Sequence, residues 1–321
     1  MKAALPLTLA LSIFLAGCAP KKEPAKEQAT VMAKHASVRM KNSPTSRTVA
    51  TLEPDTHVDV MEKQGNWYRI RTGDTQGWME ETTLLTQAMS SKLQTMVAAA
   101  KNQEAQNTAL LRDDANLRLE PGRNSTIIRR LPADTKVEIL ERKTLPRPGA
   151  PPPAMDVWIK IRISPTEVGW LLGSVLDYEA PSGIGGFMEG SNYTAIKPLN
   201  TVQDPDVGPI IWYLVGERRP GAPPDVAFDG IRVFTWNLKK HRYETAYRIK
   251  GLRGMYPLVA GREGPNPIFQ FSEVSEDGSD KRLRKFVMNG VIVHESNGDA
   301  QIKNPTPVPK GESAGKRRAR G

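Results

Sequence analysis

The side chains that most often carry nucleophilic or metal chemistry are few in this sequence and lie far apart. The chain has one cysteine, Cys18, and four histidines, at positions 35, 57, 241 and 294. The histidines lack the His-Glu-x-x-His spacing of a zinc site, and the sequence contains neither a Gly-x-Ser-x-Gly turn nor a phosphate-binding loop. We therefore expect no catalytic residues, no metal ligands and no cofactor, with the histidines on the surface. Any enzymatic activity would have to reside in the region 180–300.

Cys18 stands at the end of a short export segment. Residues 1–17 contain one lysine and an apolar run that is too short to span a bilayer comfortably, followed by small residues. The sequence at 15–18, Leu-Ala-Gly-Cys, matches the bacterial lipobox, where the signal is removed and the cysteine is lipidated. A single cysteine also excludes a disulfide within the chain. We therefore predict lipid attachment at Cys18, and Ala19, in place of aspartate, favours the periplasmic face of the outer membrane.

A sequence repeat is the second feature that bears on function, because repeated domains can bind ligands without catalysing a reaction. Ala36 and Ala115 begin two stretches that align without gaps. The identities in this alignment are Ala36/Ala115, Arg39/Arg118, Ser46/Ser125, Leu52/Leu131, Asp55/Asp134, Thr56/Thr135, Val58/Val137 and Glu62/Glu141. Further along, Trp67 matches Trp158 and Trp78 matches Trp170. The chain therefore contains an internal duplication.

Each copy has the pattern of short antiparallel strands. Val58 and Val60 alternate with a polar residue, and glycine-containing turns separate the apolar runs. Short strands of this kind favour a small barrel that closes on itself. The ordered set A-x-[VL]-R, S…[VI]…L, V-x-[VI], W-x-x-[IV]-R and G-W resembles the bacterial SH3-like domain (SH3b) over 31–87 and 111–178. This resemblance implies an SH3-like barrel in each copy and binding of cell-wall peptides.

The remaining segments complete a mainly β fold. Apolar residues recur at helical spacing from Met89 to Ala100, which predicts a helix packed on one barrel. Strand-like runs fill the region after 180, where Asn289-Gly290 is a strong hairpin signal. We therefore predict two small SH3-like barrels joined by an α-helix and followed by an antiparallel β sandwich or barrel. The predicted segments are signal peptide 1–17, tether 18–30, first barrel 31–87, linker helix 88–110, second barrel 111–178, β-rich domain 180–300 and basic disordered tail 301–321.

Two proline-rich hexapeptides are identical. Arg-Pro-Gly-Ala-Pro-Pro occurs at 147–152, inside an insertion that distinguishes the second copy, and again at 219–224. Because proline has no N–H to donate to a sheet, both segments should loop out of their sheets. One hypothesis is that a loop docks within the molecule on an aromatic SH3-like groove. The alternative is that both are stiff surface loops.

The residues that we expect to bind a ligand are aromatic and basic. They are Trp67, Tyr68 and Arg39 in the first copy, and Trp158 and Arg118 in the second. The alternative for Trp67 and Trp158 is a position in the core. An aromatic surface beside a guanidinium suits a peptide that carries carboxylates.

The two copies are not expected to bind equally well. The second copy has Ile159 where the first has Tyr68, and its insertion could cover the same face. Most of the binding is therefore predicted in the first copy. Trp78 and Trp170, which each follow a glycine, are predicted to be core residues.

The net charge of the chain indicates which classes of binding partner to expect. It contains 45 lysines and arginines against 35 acidic residues, a formal net charge of +10. This excess favours anionic surfaces such as lipid headgroups or wall polymers, whereas nucleic acid is not expected in the compartment of an exported protein. The leading hypothesis is a non-catalytic, lipid-anchored envelope protein that binds peptidoglycan or wall peptides. The alternative is a structural or assembly lipoprotein that contacts an envelope protein partner.

Overall fold

The computed structural model describes residues 24–296. The predicted signal peptide, the lipid site Cys18, the first six residues of the tether (18–23) and the basic tail lie outside the described residues. The described chain forms two units, one ending at Gln87 and the other beginning at Ala88. Residues 24–296 form three antiparallel sheets of seven strands each and two α-helices, which confirms the predicted mainly β fold class.

The first sheet forms the first barrel. Its strands are β1 (Glu27–Val31), β2 (Ala36–Arg39), β3 (Thr48–Leu52), β4 (His57–Gln64), β5 (Trp67–Thr72), β6 (Thr75–Glu80) and β7 (Leu84–Thr86). They pair in the order β3-β2-β6-β5-β4-β1-β7. Val58 and Val60 on β4 share a core with Tyr68 and Ile70 on β5, because alternate side chains of a strand point to the same face.

The second sheet repeats the first strand for strand. Its strands are β8 (Asn107–Leu111), β9 (Ala115–Arg118), β10 (Ile127–Leu131), β11 (Lys136–Pro146), β12 (Met155–Ser164), β13 (Glu167–Leu172) and β14 (Leu176–Tyr178). Their order, β10-β9-β13-β12-β11-β8-β14, is that of the first barrel. Val137, Ile139, Ile159 and Ile161 occupy the core at the positions that match Val58, Val60, Tyr68 and Ile70.

Two short strands correct the predicted boundaries. Glu27–Val31, which we assigned largely to the tether, forms β1 and pairs with both β4 and β7. Asn107–Leu111, which we assigned largely to the linker helix, forms β8, and helix α1 spans Gln87–Ala100. Alternate side chains of both strands are buried. A five-residue run is too short for this alternation to be recognised before its partner strands are known.

Helix α1 packs on the second barrel through its predicted apolar face. Ala100 is buried against Leu140 and Val168. Nη1 of Arg162 donates to the carbonyl oxygens of Ala100 at 2.7 Å and Gln103 at 3.1 Å, which satisfies backbone acceptors where the helix ends. In the part of the chain that the structure describes, no helix combines the length and apolar character needed to cross a membrane.

The repeated Gly-Trp pairs mark places where two strands approach closely. A Cβ on Gly77 would lie 2.5 Å from Cγ1 of Val38 and 2.7 Å from the carbonyl oxygen of Arg39. A Cβ on Gly169 would lie 2.5 Å from Cδ1 of Leu117. Any side chain would therefore push β2 away from β6, or β9 away from β13. This close approach explains why glycine recurs in both copies.

The third sheet is a meander in which each strand pairs with the next. Its strands are β15 (Asn192–Asp204), β16 (Gly208–Arg218), β17 (Phe228–Asn237), β18 (Arg242–Glu263), β19 (Asn266–Val274), β20 (Lys281–Asn289) and β21 (Ile292–Ser296). Leu199 near one end and Phe286 near the other share a core with Phe228 and Phe271, so the sheet curls over its main core, and a smaller cluster forms around Tyr193 and Phe234. A short helix, α2 (Ser182–Gly185), precedes it.

A buried joint connects the second barrel to the third sheet. The backbone N–H of Gln106 donates to the carbonyl of Ile139 in the barrel, and its carbonyl accepts from the N–H of Ile196 in the sheet, both at 2.7 Å. Its side-chain Oε1 accepts from the N–H of Leu258 at 2.8 Å. Tyr256 packs against both cores. The second barrel and the third sheet therefore belong to one unit.

Candidate binding faces of the two barrels

Four side chains form a row across the outer face of the first barrel, which we call the outer row. Arg39 on β2 pairs with Trp78 on β6, Trp78 pairs with Arg69 on β5, and Arg69 pairs with Glu62 on β4. All four are half-buried, and Nε of Arg69 lies 3.2 Å from Oε2 of Glu62. Trp67, also half-buried, lies on the same face two residues from Arg69. This face thus presents two indole rings beside guanidinium groups.

The second barrel has the same outer row, but the tryptophan in this row is buried. The corresponding residues are Arg118, Trp170, Lys160 and Glu141. Trp170 is 5% exposed and Trp158, on the same face, is 3% exposed. Nζ of Lys143 lies 5.2 Å from the ring centroid of Trp170, so a cation already covers part of that ring. Trp158 is therefore a buried residue, which corrects its selection with Arg118 as an accessible ligand-binding residue, and the predicted burial of Trp170 is confirmed.

Tyr68 does not belong to the outer face of the first barrel. It is 5% exposed and packs beside Ile70 in the core. Burial raises the pKa of Tyr68, although the ammonium of Lys63, 5.1 Å from the ring centroid, partly offsets this effect. Because neighbouring residues of a strand point to opposite faces, the outward position of Trp67 requires Tyr68 to point inward. The prediction that both residues line one groove is therefore corrected.

The repeated arginines hold the turn that follows their strands. Nη1 of Arg39 donates to the carbonyl oxygen of Ser46 at 2.9 Å, and Nη1 of Arg118 donates to that of Ser125 at 2.6 Å. This shared contact explains why arginine and serine recur together in the two copies. Arg39 has no carboxylate partner among residues 24–296. Its charge is therefore available to an anionic ligand.

Trp78 was predicted to be a core residue, and the structure corrects that prediction. Its side chain is half-buried on the outer face, whereas its neighbours Gly77 and Met79 are buried. The glycine before it is explained by the close approach of β2 and does not place the indole in the core. Trp78 thus lies on the outer face with Trp67 and Arg39, a position that the sequence analysis did not predict.

The two proline-rich loops are built alike, and one of them docks on the second barrel. Each anchors its arginine to an aspartate of its own hairpin, through Arg147–Asp156 at 3.0 Å and Arg219–Asp229 at 2.7 Å. The carbonyl oxygen of Pro224 accepts hydrogen bonds from Nη2 of Arg142 and Oγ1 of Thr144, both at 2.9 Å. The loop at 219–224 therefore docks within the molecule, on polar groups of β11 and not on an aromatic groove.

One histidine and two aspartates form a cluster where the β15–β16 turn meets the β17–β18 turn. Nδ1 of His241 lies 2.8 Å from Oδ2 of Asp204, and Nε2 lies 3.3 Å from Oδ2 of Asp206. The three residues bring potential ligand atoms within 4.8 Å of one another. Burial by itself raises the pKa of Asp204, but hydrogen bonds from Trp236, the backbone of Asp206 and His241 lower it to about 2. These hydrogen bonds give Asp204 a structural role. His241 was predicted to be a solvated surface residue, and its contacts with Asp204 and Asp206 correct that prediction.

Comparisons with known proteins give an assignment for the two barrels. Residues 33–85 and residues 113–177 each match a family described as the bacterial SH3 domain. No curated protein matches the chain. Among solved structures, the chain is similar to NlpC1 of Trichomonas vaginalis at 16% identity, over 85% of this chain and 92% of that one, with a TM-score of 0.19. NlpC2 of the same organism gives 16% identity over 82% and 93%, with a TM-score of 0.18. TM-scores this low carry no argument about fold or activity. The two family matches agree with the shared strand order of the barrels, and the chain therefore contains two tandem bacterial SH3 domains.

Proposed function

We propose that this chain is a non-catalytic lipoprotein of the cell envelope that binds peptidoglycan, or peptides of the wall, through the outer face of its first barrel. The observation that carries the proposal is the difference between the two outer rows. The same residue pattern crosses both barrels, but Trp67 and Trp78 are half-buried in the first, whereas Trp158 and Trp170 are almost fully buried in the second.

The chemistry of this face suits a wall peptide. The indole rings of Trp67 and Trp78 offer apolar surface for a peptide or sugar backbone. Arg39 is fixed by its bond to Ser46 and has no carboxylate partner among the described residues, so it can pair with a carboxylate of a peptide stem. Arg69, which Glu62 holds, adds a second positively charged group to the same row.

The proposal is tested by sedimentation with purified sacculi. The chain from residue 19 onward, without lipid, is expected to sediment with them, and Trp78→Ala should weaken this binding by about thirtyfold. That factor corresponds to about 2 kcal/mol for truncating one aromatic anchor of an interface. Circular dichroism should show that the variant remains folded.

Leu238→Ala provides the matched control, because it truncates an exposed apolar side chain in the turn after β17. It should bind sacculi as the wild type does. Wild-type protein that stays in the supernatant would favour the alternative of an assembly lipoprotein. Equal binding by the wild type and a folded Trp78→Ala would place the wall contact elsewhere in the chain.

The lipid anchor is tested separately in cells. Cys18→Ala should leave an unprocessed precursor or release the protein from the membrane fraction, because no acyl chain can be attached to alanine. Ala19→Asp should keep the lipid but move the protein from the outer to the inner membrane fraction. Fractionation and mass spectrometry of the mature N-terminus measure both outcomes. A processed, membrane-bound Cys18→Ala protein would contradict the proposed anchor.

A further inference from the structure

A cavity of about 430 Å³ lies where the second barrel meets the third sheet. The barrel contributes the β11–β12 hairpin, the turn after β13 and the strand β14, and the sheet contributes the start of β15 and the end of β16. This volume falls within the range of about 300–1,000 Å³ that is typical of small-ligand pockets. None of its lining residues belongs to the outer row of the second barrel.

Positive charge dominates the lining of this cavity, which we call the arginine pocket. Its charged residues are Arg112, Arg123, Arg142, Arg147, Arg218 and a single carboxylate, Asp156. Asp156 is shared, because it lies 2.6 Å from Nε of Arg123 and 3.0 Å from Nε of Arg147. Arg112 is paired with Asp177, which lies outside the lining. The pocket therefore has more guanidinium groups than carboxylates to neutralise them.

Two of these arginines have no carboxylate of the described residues in direct contact, although Asp229 acts on Arg218 from a greater distance. Neither Arg142 nor Arg218 forms an ion pair with any residue in the range 24–296. Each donates only to backbone carbonyls, Arg142 to Pro224 and Arg218 to Ala222, both at 2.9 Å, with a longer bond from Arg218 to Val226. Burial lowers the pKa of Arg142, and the nearby Arg218 lowers it further. Burial likewise lowers the pKa of Arg218.

One hydrogen-bond donor of Arg142 has no acceptor. Its Nε is buried and has no hydrogen-bond partner, and a buried donor without an acceptor is unfavourable. Holding the loop at 219–224 does not require this charge, because the hydroxyl of Thr144 already donates to the same carbonyl of Pro224 at 2.9 Å. Two half-buried, mutually repelling guanidinium groups beside a cavity are the arrangement that a bound anion would stabilise.

We propose that the arginine pocket binds a small, multiply charged oxyanion whose phosphate or carboxylate oxygens bridge Arg142 and Arg218. Guanidinium groups bind both kinds of oxyanion through paired N–H donors. Ser174 and Asn192, which also line the pocket, add neutral donors for a further oxygen. This site is independent of the wall-binding face proposed for the first barrel.

Isothermal titration calorimetry on the chain from residue 19 onward tests this site with two probes in chloride buffer. Inorganic pyrophosphate represents phosphate esters, and tricarballylate represents polycarboxylates. At least one probe should bind with one-to-one stoichiometry, and the tighter one identifies the chemical class of the ligand. Arg142→Gln and Arg218→Gln should each weaken binding by about tenfold or more, the effect of losing a charge-assisted hydrogen bond.

Two further variants separate specific binding from general electrostatics and from damage to the fold. Arg130→Gln removes the same charge from an exposed position of the same barrel and should bind as the wild type does. Asp156→Asn should strengthen binding several-fold, because it frees Arg123 and Arg147 from a competing carboxylate, an effect that a damaged fold would not produce. The proposal is overturned if neither probe binds, if folded Arg142→Gln binds like the wild type, or if Asp156→Asn weakens binding.

Discussion

Replacing Tyr68 with alanine should lower the free energy of unfolding of the first barrel by about 3–5 kcal/mol, the range for deleting a large aromatic side chain from a core. Tyr68 is one of the largest buried side chains of this barrel and packs with Ile70 and Val38. The surrounding side chains are close-packed and can fill the resulting cavity only in part. Because a domain this small has little stability in reserve, much of the first barrel should be unfolded in this variant.

Native-state hydrogen exchange measures this effect in the complete chain. Amides of β4 and β5 should lose protection in Tyr68→Ala, while amides of the third sheet serve as an internal reference. Two controls are available at the same place. Trp67→Ala, one residue away on the half-exposed face, should change protection much less, and Tyr68→Phe should retain most of it because the ring remains. Unchanged protection of β4 and β5 in Tyr68→Ala would show that the ring does not support the core.

The contrast between Trp67 and Tyr68 illustrates what the sequence could predict. The repeat, the strands and the barrel class follow from residue patterns, because each copy must satisfy the same close contacts, such as that of Gly77 with β2. The predicted groove failed at Tyr68 because residue type was given more weight than strand alternation. Two adjacent residues of a strand cannot line one face, so this correction was accessible from the sequence itself.

Other features could not be derived from local patterns. The arginine pocket combines Arg142 with Arg218, and the joint combines Gln106 with Leu258. No periodicity links such distant positions, since their proximity depends on how the second barrel packs against the third sheet. The burial of Trp170 likewise depends on the folded structure and cannot be read from the local sequence, which matches that around Trp78. Equal sequence patterns in the two copies therefore do not imply equally open faces.

A buried ionic cluster in the third sheet provides the second large expected effect. Glu217 and Arg232 are both buried, and Oε1 of Glu217 lies 3.6 Å from Nη1 of Arg232. Oε2 of Glu217 also lies 3.0 Å from Nη2 of Arg248. Glu217→Ala should lower the free energy of unfolding by about 3–5 kcal/mol, because it leaves the buried charge of Arg232 without its nearest buried counter-charge. The remaining carboxylate near Arg232, that of Glu189, is exposed and screened by water.

A double-mutant cycle tests whether this effect arises from the ion pair or from lost packing. The double variant Glu217→Ala/Arg232→Met should be less destabilised than the sum of the two single variants, with a coupling of about 0.5–3 kcal/mol. Exchange protection of amides in β16 and β17 measures each variant. Glu120→Ala is the surface control, because Glu120 and its partner Lys92 are both largely exposed, and such exposed pairs contribute about 1 kcal/mol or less. Strictly additive effects of Glu217→Ala and Arg232→Met would show that the buried cluster is held by packing and not by charge.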